Sequence, residues 1–181
     1  YSTSRNLIRS MGEVVWAVNP EQDSFEGLAD YFSNYAQEFL GVAGLRCRLE
    51  MPLNLPERIL SAKVRHGLFL AFKEGLNNIV KHSEATEVRI SLTPGETSLV
   101  LLIEDNGKGL DTESGDTGGS GHGLVNMVKR LEDIGGSCEV RSDPSKGTAV
   151  KFEIQLSGKL EPHRKTLLRP RQLPNHGHHT P

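Results

Sequence analysis

Five consecutive apolar residues, Leu99, Val100, Leu101, Leu102 and Ile103, stand between a Pro94-Gly95 turn signal and the hexapeptide Glu104-Asp105-Asn106-Gly107-Lys108-Gly109. A run this short, apolar at both odd and even positions, predicts a strand in the interior of a sheet. The fold must then supply flanking strands and helices to cover it. It must also accommodate an acidic side chain and two glycines where the buried strand ends.

The periodicities on either side supply those partners. Leu7, Met11, Val14 and Val18 predict a helix over 6–18 with a single apolar seam, closed by Asn19-Pro20. Such a segment needs partner helices, because one seam makes no core. A second helix is expected after Asp23 or Ser24 as N-cap, with Glu26 in its first turn. Its buried face would be Leu28, Phe32, Tyr35 and Phe39, with Gly41 and Gly44 stopping it. Cys47, Leu49 and Met51 alternate with charged residues, a half-buried strand. A long helix is expected from about Pro56 to His82, lying across the sheet. Ile59, Leu60, Val64, Leu68, Ala71, Leu76, Ile79 and Val80 would be its apolar surface.

Val88, Ile90 and Leu92 mark another strand, and residues 105–121 a long loop rich in Gly, Asp, Ser and Thr. A helix over 124–134 ends at Gly135-Gly136. Two closing strands follow, through Cys138 and Val140 and through Val150, Phe152, Ile154 and Leu156, joined by a turn at 143–147. From Lys159 the chain carries five Lys/Arg against one Glu, with scattered prolines, and reads as a disordered tail or linker. His176, His178 and His179 in that tail read as incidental rather than as metal ligands.

Several function classes are excluded early. Lys+Arg total 21 against 23 Asp+Glu, and the net charge of −2 lacks the basic excess of a general nucleic-acid binder. Apolar runs of five residues fall far short of the roughly 20 that span a bilayer, so no membrane contact is expected. Two cysteines, Cys47 and Cys138, make neither a disulfide framework nor a CxxC site, and suit a reduced, intracellular core. The chain opens at Tyr1 without a signal peptide, as expected of a fragment of a longer protein.

Four stretches carry chemistry. In Lys73-Glu74-Gly75-Leu76-Asn77-Asn78-Ile79-Val80-Lys81-His82, the residues Glu74, Asn78 and His82 recur at i, i+4 and i+8 on one helical face, with Lys81 beside them. The Asn78 carbonyl is a hard oxygen ligand for Mg²⁺, Glu74 can orient a water or accept a proton, and Lys81 can neutralise phosphate. The same residues also suit a solvated polar face. Next, an ionised Asp105 only accepts hydrogen bonds, whereas adenine offers an amino donor where guanine offers a carbonyl acceptor. Gly107 and Gly109 let the backbone approach a flat base, although an ordinary Asn-Gly turn has the same sequence. Finally, Gly118-Gly119-Ser120-Gly121-His122-Gly123 runs into the helix at Leu124, and glycine loops entering a helix N-terminus cradle phosphates. His122 either touches phosphate or faces solvent. Gly147-Thr148, opening the last strand, could reach the base through a water.

Taken in order, these signals resemble the GHKL ATP-binding superfamily and, within it, the catalytic domain of two-component sensor histidine kinases. The similarity covers about residues 22–157. Glu74 to His82 looks like the family's N box, Asp105 to Gly109 its first glycine box, and Gly121 to Gly123 its second. The resemblance implies an α+β fold, a two-layer α/β sandwich of the Bergerat type with helices on a mixed sheet. It implies ATP and Mg²⁺ as cofactors, with Asn78 the metal ligand, Glu74 the catalytic acidic residue, Asp105 the adenine reader and Thr148 its water-linked helper. Residues 118–123 and Leu124 would close over the phosphates.

Residues 11–20 are similar to the end of the second dimerisation helix of the NarL-type subgroup, with Trp16 in the core of a helical bundle. Three parts are thus expected: 1–20, the end of a dimerisation helix; 22–157, the ATP-binding domain; and 158–181, a basic tail. The phosphoacceptor histidine, which that subgroup carries on its first dimerisation helix, has no counterpart here and is expected upstream of Tyr1. The resemblance implies a homodimeric, membrane-anchored kinase with this domain on the cytoplasmic side, and a response-regulator receiver domain as partner. Alternatives are a gyrase-type or chaperone-type ATPase of the same superfamily, a serine kinase acting on anti-sigma partners, or a nucleotide sensor without catalysis.

Overall fold

The computed structural model describes residues 15–16, 19, 23–109 and 120–156. The expected helix over 6–18, apart from Val15 and Trp16, lies outside them, as do residues 110–119 of the glycine-rich loop and the basic tail.

Ser24 opens helix α1 (Phe25–Val42) as its N-cap, its hydroxyl accepting from the Gly27 N–H at 3.0 Å. Strand β1 (Arg46–Glu50) follows. The next helix is shorter at its start than its apolar spacing suggests. Residues 56–61 are not helical, because their backbone is engaged elsewhere. Ile59 forms a bridge with Ser24, and the Leu60 N–H donates to the Asp23 carbonyl at 2.7 Å. Ser61 then caps helix α2 (Ala62–Asn78) by accepting from the Val64 N–H. Ile59 is accordingly exposed, not part of a buried helical face. At its far end α2 widens into a π turn (Ile79–Ser83), which leaves Val80 exposed. The Ser83 hydroxyl donates to the Ile79 carbonyl at 2.8 Å, and Glu84 exits in the left-handed conformation, φ 54°.

Strands β2 (Glu87–Pro94) and β3 (Ser98–Asp105), helix α3 (Ser120–Glu132), and strands β4 (Gly136–Asp143) and β5 (Gly147–Gln155) complete the fold. The five-stranded sheet has the order β1-β2-β3-β5-β4, parallel between β1 and β2 and antiparallel elsewhere. The apolar run therefore lies mid-sheet, as its composition predicts. Only one face is fully covered: Leu99, Leu101 and Ile103 are buried, whereas Val100 and Leu102 are half-buried. The covered face continues through Val88, Ile90 and Leu92 on β2 and Val150, Phe152 and Ile154 on β5, in register across β3.

Helices α1, α2 and α3 pack their apolar sides over this face, the two-layer α/β sandwich expected from the sequence. Phe25, Phe32, Phe69, Phe72 and Phe152 are its largest fully buried side chains. Cys47 and Cys138 are half-buried free thiols packed against the core rather than within it.

Trp16 departs from expectation. Instead of packing in a helical bundle, it is buried against the domain, stacked on Tyr31 and in contact with Phe32 and Phe69. Below it, the buried Arg65 donates from Nη2 to the Asn19 carbonyl at 3.1 Å and from Nη1 to the Leu60 carbonyl at 2.7 Å. The junction is thereby tied to the start of α2. Three aromatic rings cover the indole there, an apolar match that outweighs the burial of its unpartnered Nε1.

Candidate functional site

A cavity opens between α2, the start of α3, the end of β3 and the start of β5. It is lined by Gly75, Asn78, Ile79, His82, Ser83, Asp105, Gly109, Leu124, Met127, Thr148 and Val150. The walls are mainly apolar, with a few polar groups converging at two ends, the usual make-up of a small-molecule site.

One end is built on Asp105, the last residue of β3, which is 6% exposed. Its Oδ1 accepts from the Gly107 N–H at 2.8 Å, and the Thr148 N–H also donates to the carboxylate. Burial dominates over these two bonds and pushes its pKa above the ordinary carboxylate range. The surrounding backbone is close-set. A Cβ on Gly147, which has φ +95°, would lie 2.0 Å from the Asp105 carbonyl oxygen, and one on Gly107 would lie 2.1 Å from that of Ser83. Both positions therefore require glycine. Gly109, at φ +74°, lies similarly against Asp143 and Ser142.

The other end comes from the last turn of α2. Glu74 and Asn78 share its face, as the i, i+4 spacing predicts, and Gly123 of α3 packs directly on them. A Cβ at Gly123 would lie 2.6 Å from Glu74 Oε1 and 3.3 Å from both Asn78 side-chain termini. This contact explains why α3 begins at Ser120 and includes Gly121, His122 and Gly123, rather than starting at Leu124. The absence of a side chain, costly in an isolated helix, is what lets the helix end reach the acidic face.

Of the residues singled out in the sequence, Asn78, His82, Asp105, Gly109, Leu124 and Thr148 line the cavity. Glu74, Gly107 and Gly123 are not among the lining residues, but Gly107 lies against Ser83 and Asp105, and Gly123 against Asn78 and Glu74. Lys81 is exposed and does not line it. Gly121 lies in the first turn of α3, and the placement of the His122 side chain lies outside the described residues. Sequence reasoning passed over Ser83, Met127 and Gly75. Gly75 and Met127 carry only the apolar spacing of a buried face. The importance of Ser83 arises from the π turn, which has no compositional signature.

Chemically, the Asp105 end can accept a hydrogen bond, and Ile79, Met127 and Val150 add apolar lining to the same cavity. The α2 end offers an amide oxygen and a carboxylate. Among the described residues no group of three His, Cys, Asp or Glu could hold a metal ion. One amide oxygen nonetheless suits Mg²⁺ carried in on phosphates, since that ion takes few protein ligands and fills its remaining positions with phosphate oxygens and water. No helix among the described residues is long and apolar enough to cross a membrane.

A family model described as histidine kinase-, DNA gyrase B- and HSP90-like ATPase matches residues 63–158. The chain is 27% identical over 135 residues to sensor histidine kinase YdfH of Bacillus subtilis, covering 74% of this chain and 32% of that one. It is 31% identical over 108 residues to sensor histidine kinase LiaS of the same organism, covering 60% of this chain and 29% of that one. The chain thus spans about a third of the length of these relatives. Among solved structures, the Acinetobacter baumannii histidine kinase AdeS superposes with a TM-score of 0.59 over 87% of this chain and 80% of that chain. At 18% identity that likeness is one of fold.

Proposed function

This chain belongs to the histidine kinase-, DNA gyrase B- and HSP90-like ATPase family, as the ATP-binding catalytic domain of a sensor histidine kinase, and we propose how its own residues bind and use the nucleotide. The adenine enters the apolar end of the cavity, its amino group donating to Asp105, with Thr148 and its N–H setting the orientation of that carboxylate. The triphosphate runs toward α3, where Gly121 and Gly123 admit it to the helix N-terminus, and His82 of the cavity lining, with Lys81 and His122, is assigned to offsetting its charge. Asn78 would hold Mg²⁺ through its amide oxygen, and the ion would neutralise developing phosphate charge.

Glu74 is the proposed catalytic residue. A histidine imidazole nitrogen of the intact kinase attacks the γ-phosphorus, forming an N–P bond as the bond to the ADP oxygen breaks. Glu74 takes the proton released from the imidazole, directly or through a water. The phosphoryl group then passes to an aspartate of a response-regulator receiver domain. Most of the rate enhancement comes from positioning and charge neutralisation, as in phosphoryl transfer generally. The proposed setting is the cytoplasmic side of a dimeric sensor.

The observation that carries this reading is the buried Asp105 carboxylate at one end of the same cavity whose other end presents Asn78 beside Glu74. Calorimetry of ATP and GTP with Mg²⁺ tests it. ATP should bind clearly tighter than GTP, and Asp105→Ala should abolish the difference. Equal binding of the two nucleotides by the unaltered chain would overturn it.

A further inference from the structure

Asn106 has no place in the cavity, yet its side chain is committed. Its Oδ1 accepts from the backbone N–H groups of both Thr86 and Glu87, at 2.9 Å each. Its Nδ2 donates to Thr86 Oγ1, also at 2.9 Å, and its own backbone N–H donates to the Glu87 carbonyl at 3.3 Å. Two backbone donors converging on one atom require that atom to be the oxygen, so the amide orientation follows from the network.

The location gives these bonds their meaning. Asp105 pairs with Val88 as the last rung between β3 and β2. One residue later the chain leaves the sheet for the Gly107 turn, where the ladder would fray. The Asn106 amide takes over as an extra rung, bonding the backbone of Thr86 and Glu87 at the start of β2. A second tie lies alongside: the Lys108 N–H donates to the Ser83 carbonyl at 2.8 Å, at the end of the π turn. The turn that follows Asp105 is thus bound at two points to the segment leaving α2, which carries Glu74 and Asn78.

We infer that Asn106 is a positioning residue for nucleotide selection: by tying the end of β3 to the start of β2 it aims the Asp105 carboxylate at the base without touching the nucleotide. The inference rests on the assignment of Asp105 as adenine reader. It predicts a loss of selectivity and not of general binding. If Asp105 is misaimed, the contact with the adenine amino group suffers, while phosphate contacts made from α2 and α3 persist.

ATP and ITP distinguish these terms, because inosine carries a carbonyl where adenine carries the amino group. Both would be titrated with Mg²⁺ into the 181-residue chain and its variants by calorimetry, with far-UV circular dichroism and thermal melting as controls. Asp105→Ala is the reference, and its ATP:ITP affinity ratio should collapse toward one. If that ratio stays at the unaltered value, the reading of Asp105 itself fails. Asn106→Ala should lose about tenfold in ATP affinity and less than about threefold in ITP affinity. Thr86→Val, which removes only the acceptor of Nδ2, should shift the ratio in the same direction by a smaller amount. It decides the matter if Asn106→Ala does not fold. Should Asp105→Ala collapse the ratio while the folded Asn106→Ala keeps it, or weakens both nucleotides equally, the positioning role is overturned.

Discussion

Gly123 on α3 and Glu74 on α2 are in direct contact: a Cβ on the glycine would lie 2.6 Å from Glu74 Oε1. An acidic side chain and a backbone helix end, 49 positions apart in the chain, thus form one surface. Alanine is the better helix former by about 1 kcal/mol, so Gly123→Ala separates folding from function. The Glu74 carboxylate can swing aside at little cost, but then it no longer lies beside Asn78. The variant should melt at or above the temperature of the unaltered chain while Mg-ATP affinity falls about tenfold, read by thermal melting and calorimetry.

Asp105 sets a pH limit on binding. Its pKa in the folded chain is raised by burial, so on acidification it takes up a proton at a higher pH than an ordinary carboxylate. A protonated carboxyl loses acceptor strength, and ATP affinity should fall as pH drops through that raised value. Stability of the nucleotide-free chain has the opposite sign. The contribution of this group is fully present below the unfolded pKa and is lost as pH rises through the raised folded one. Asp105→Asn should bind ATP weakly and lack this step in a calorimetric pH series. An unaltered step in the variant would assign it to another group.

The stacked pair Trp16 and Tyr31, with ring centroids 3.9 Å apart and 5° between planes, joins the incoming chain to the domain. Trp16→Ala should destabilise the chain by about 3 kcal/mol in urea unfolding, at the low end for loss of a buried aromatic because the site is at the domain's margin. Trp16 is the sole tryptophan, so the emission reports its seat against Tyr31, Phe32 and Phe69. Tyr31→Ala should shift that emission to the red under native conditions. No shift would mean that the indole is not seated on this surface in solution.

Burial makes both thiols poor nucleophiles. Cys138 has its pKa pushed up to about 11, and that of Cys47 is also raised. Because the thiolate is the reactive form, alkylation at pH 8 should be slow in the folded chain and fast in urea. Mass spectrometry of peptides after timed iodoacetamide treatment would check this. Fast labelling of native Cys138 would contradict its burial.

Glu74→Gln should retain ATP affinity within about threefold and lose phosphoryl transfer by roughly 10²-fold or more in the intact kinase. Labelled ATP and acid-labile phosphate on the kinase are the readouts. Retained transfer would remove Glu74 from the proton step.

Much of this fold is legible in the residues because its determinants are local. The alternation of Val88, Ile90 and Leu92 and the apolar run through Ile103 mark strands wherever they occur. Ser24 caps α1 through a hydroxyl three residues from its partner N–H. The helix ends were harder, since they depend on partners far along the chain. Residues 56–61 look helical until Asp23 and Ser24 claim their backbone. Gly121-His122-Gly123 looks like loop until Glu74 and Asn78 receive it.

The residue types of the site, an acid before two glycines and an amide one turn after a carboxylate, were determined by the amino-acid sequence, because donor and acceptor chemistry belongs to each side chain. Their assembly into one cavity was decided only in three dimensions. The π turn ending at Ser83, the Asn106 rung and the seat of Trp16 all depend on side chains or backbone far along the chain, such as Thr86 for Asn106 and Phe69 for Trp16, or on a change of helical pitch. No local pattern encodes such pairings, since each is selected by what else the folded core leaves unpaired.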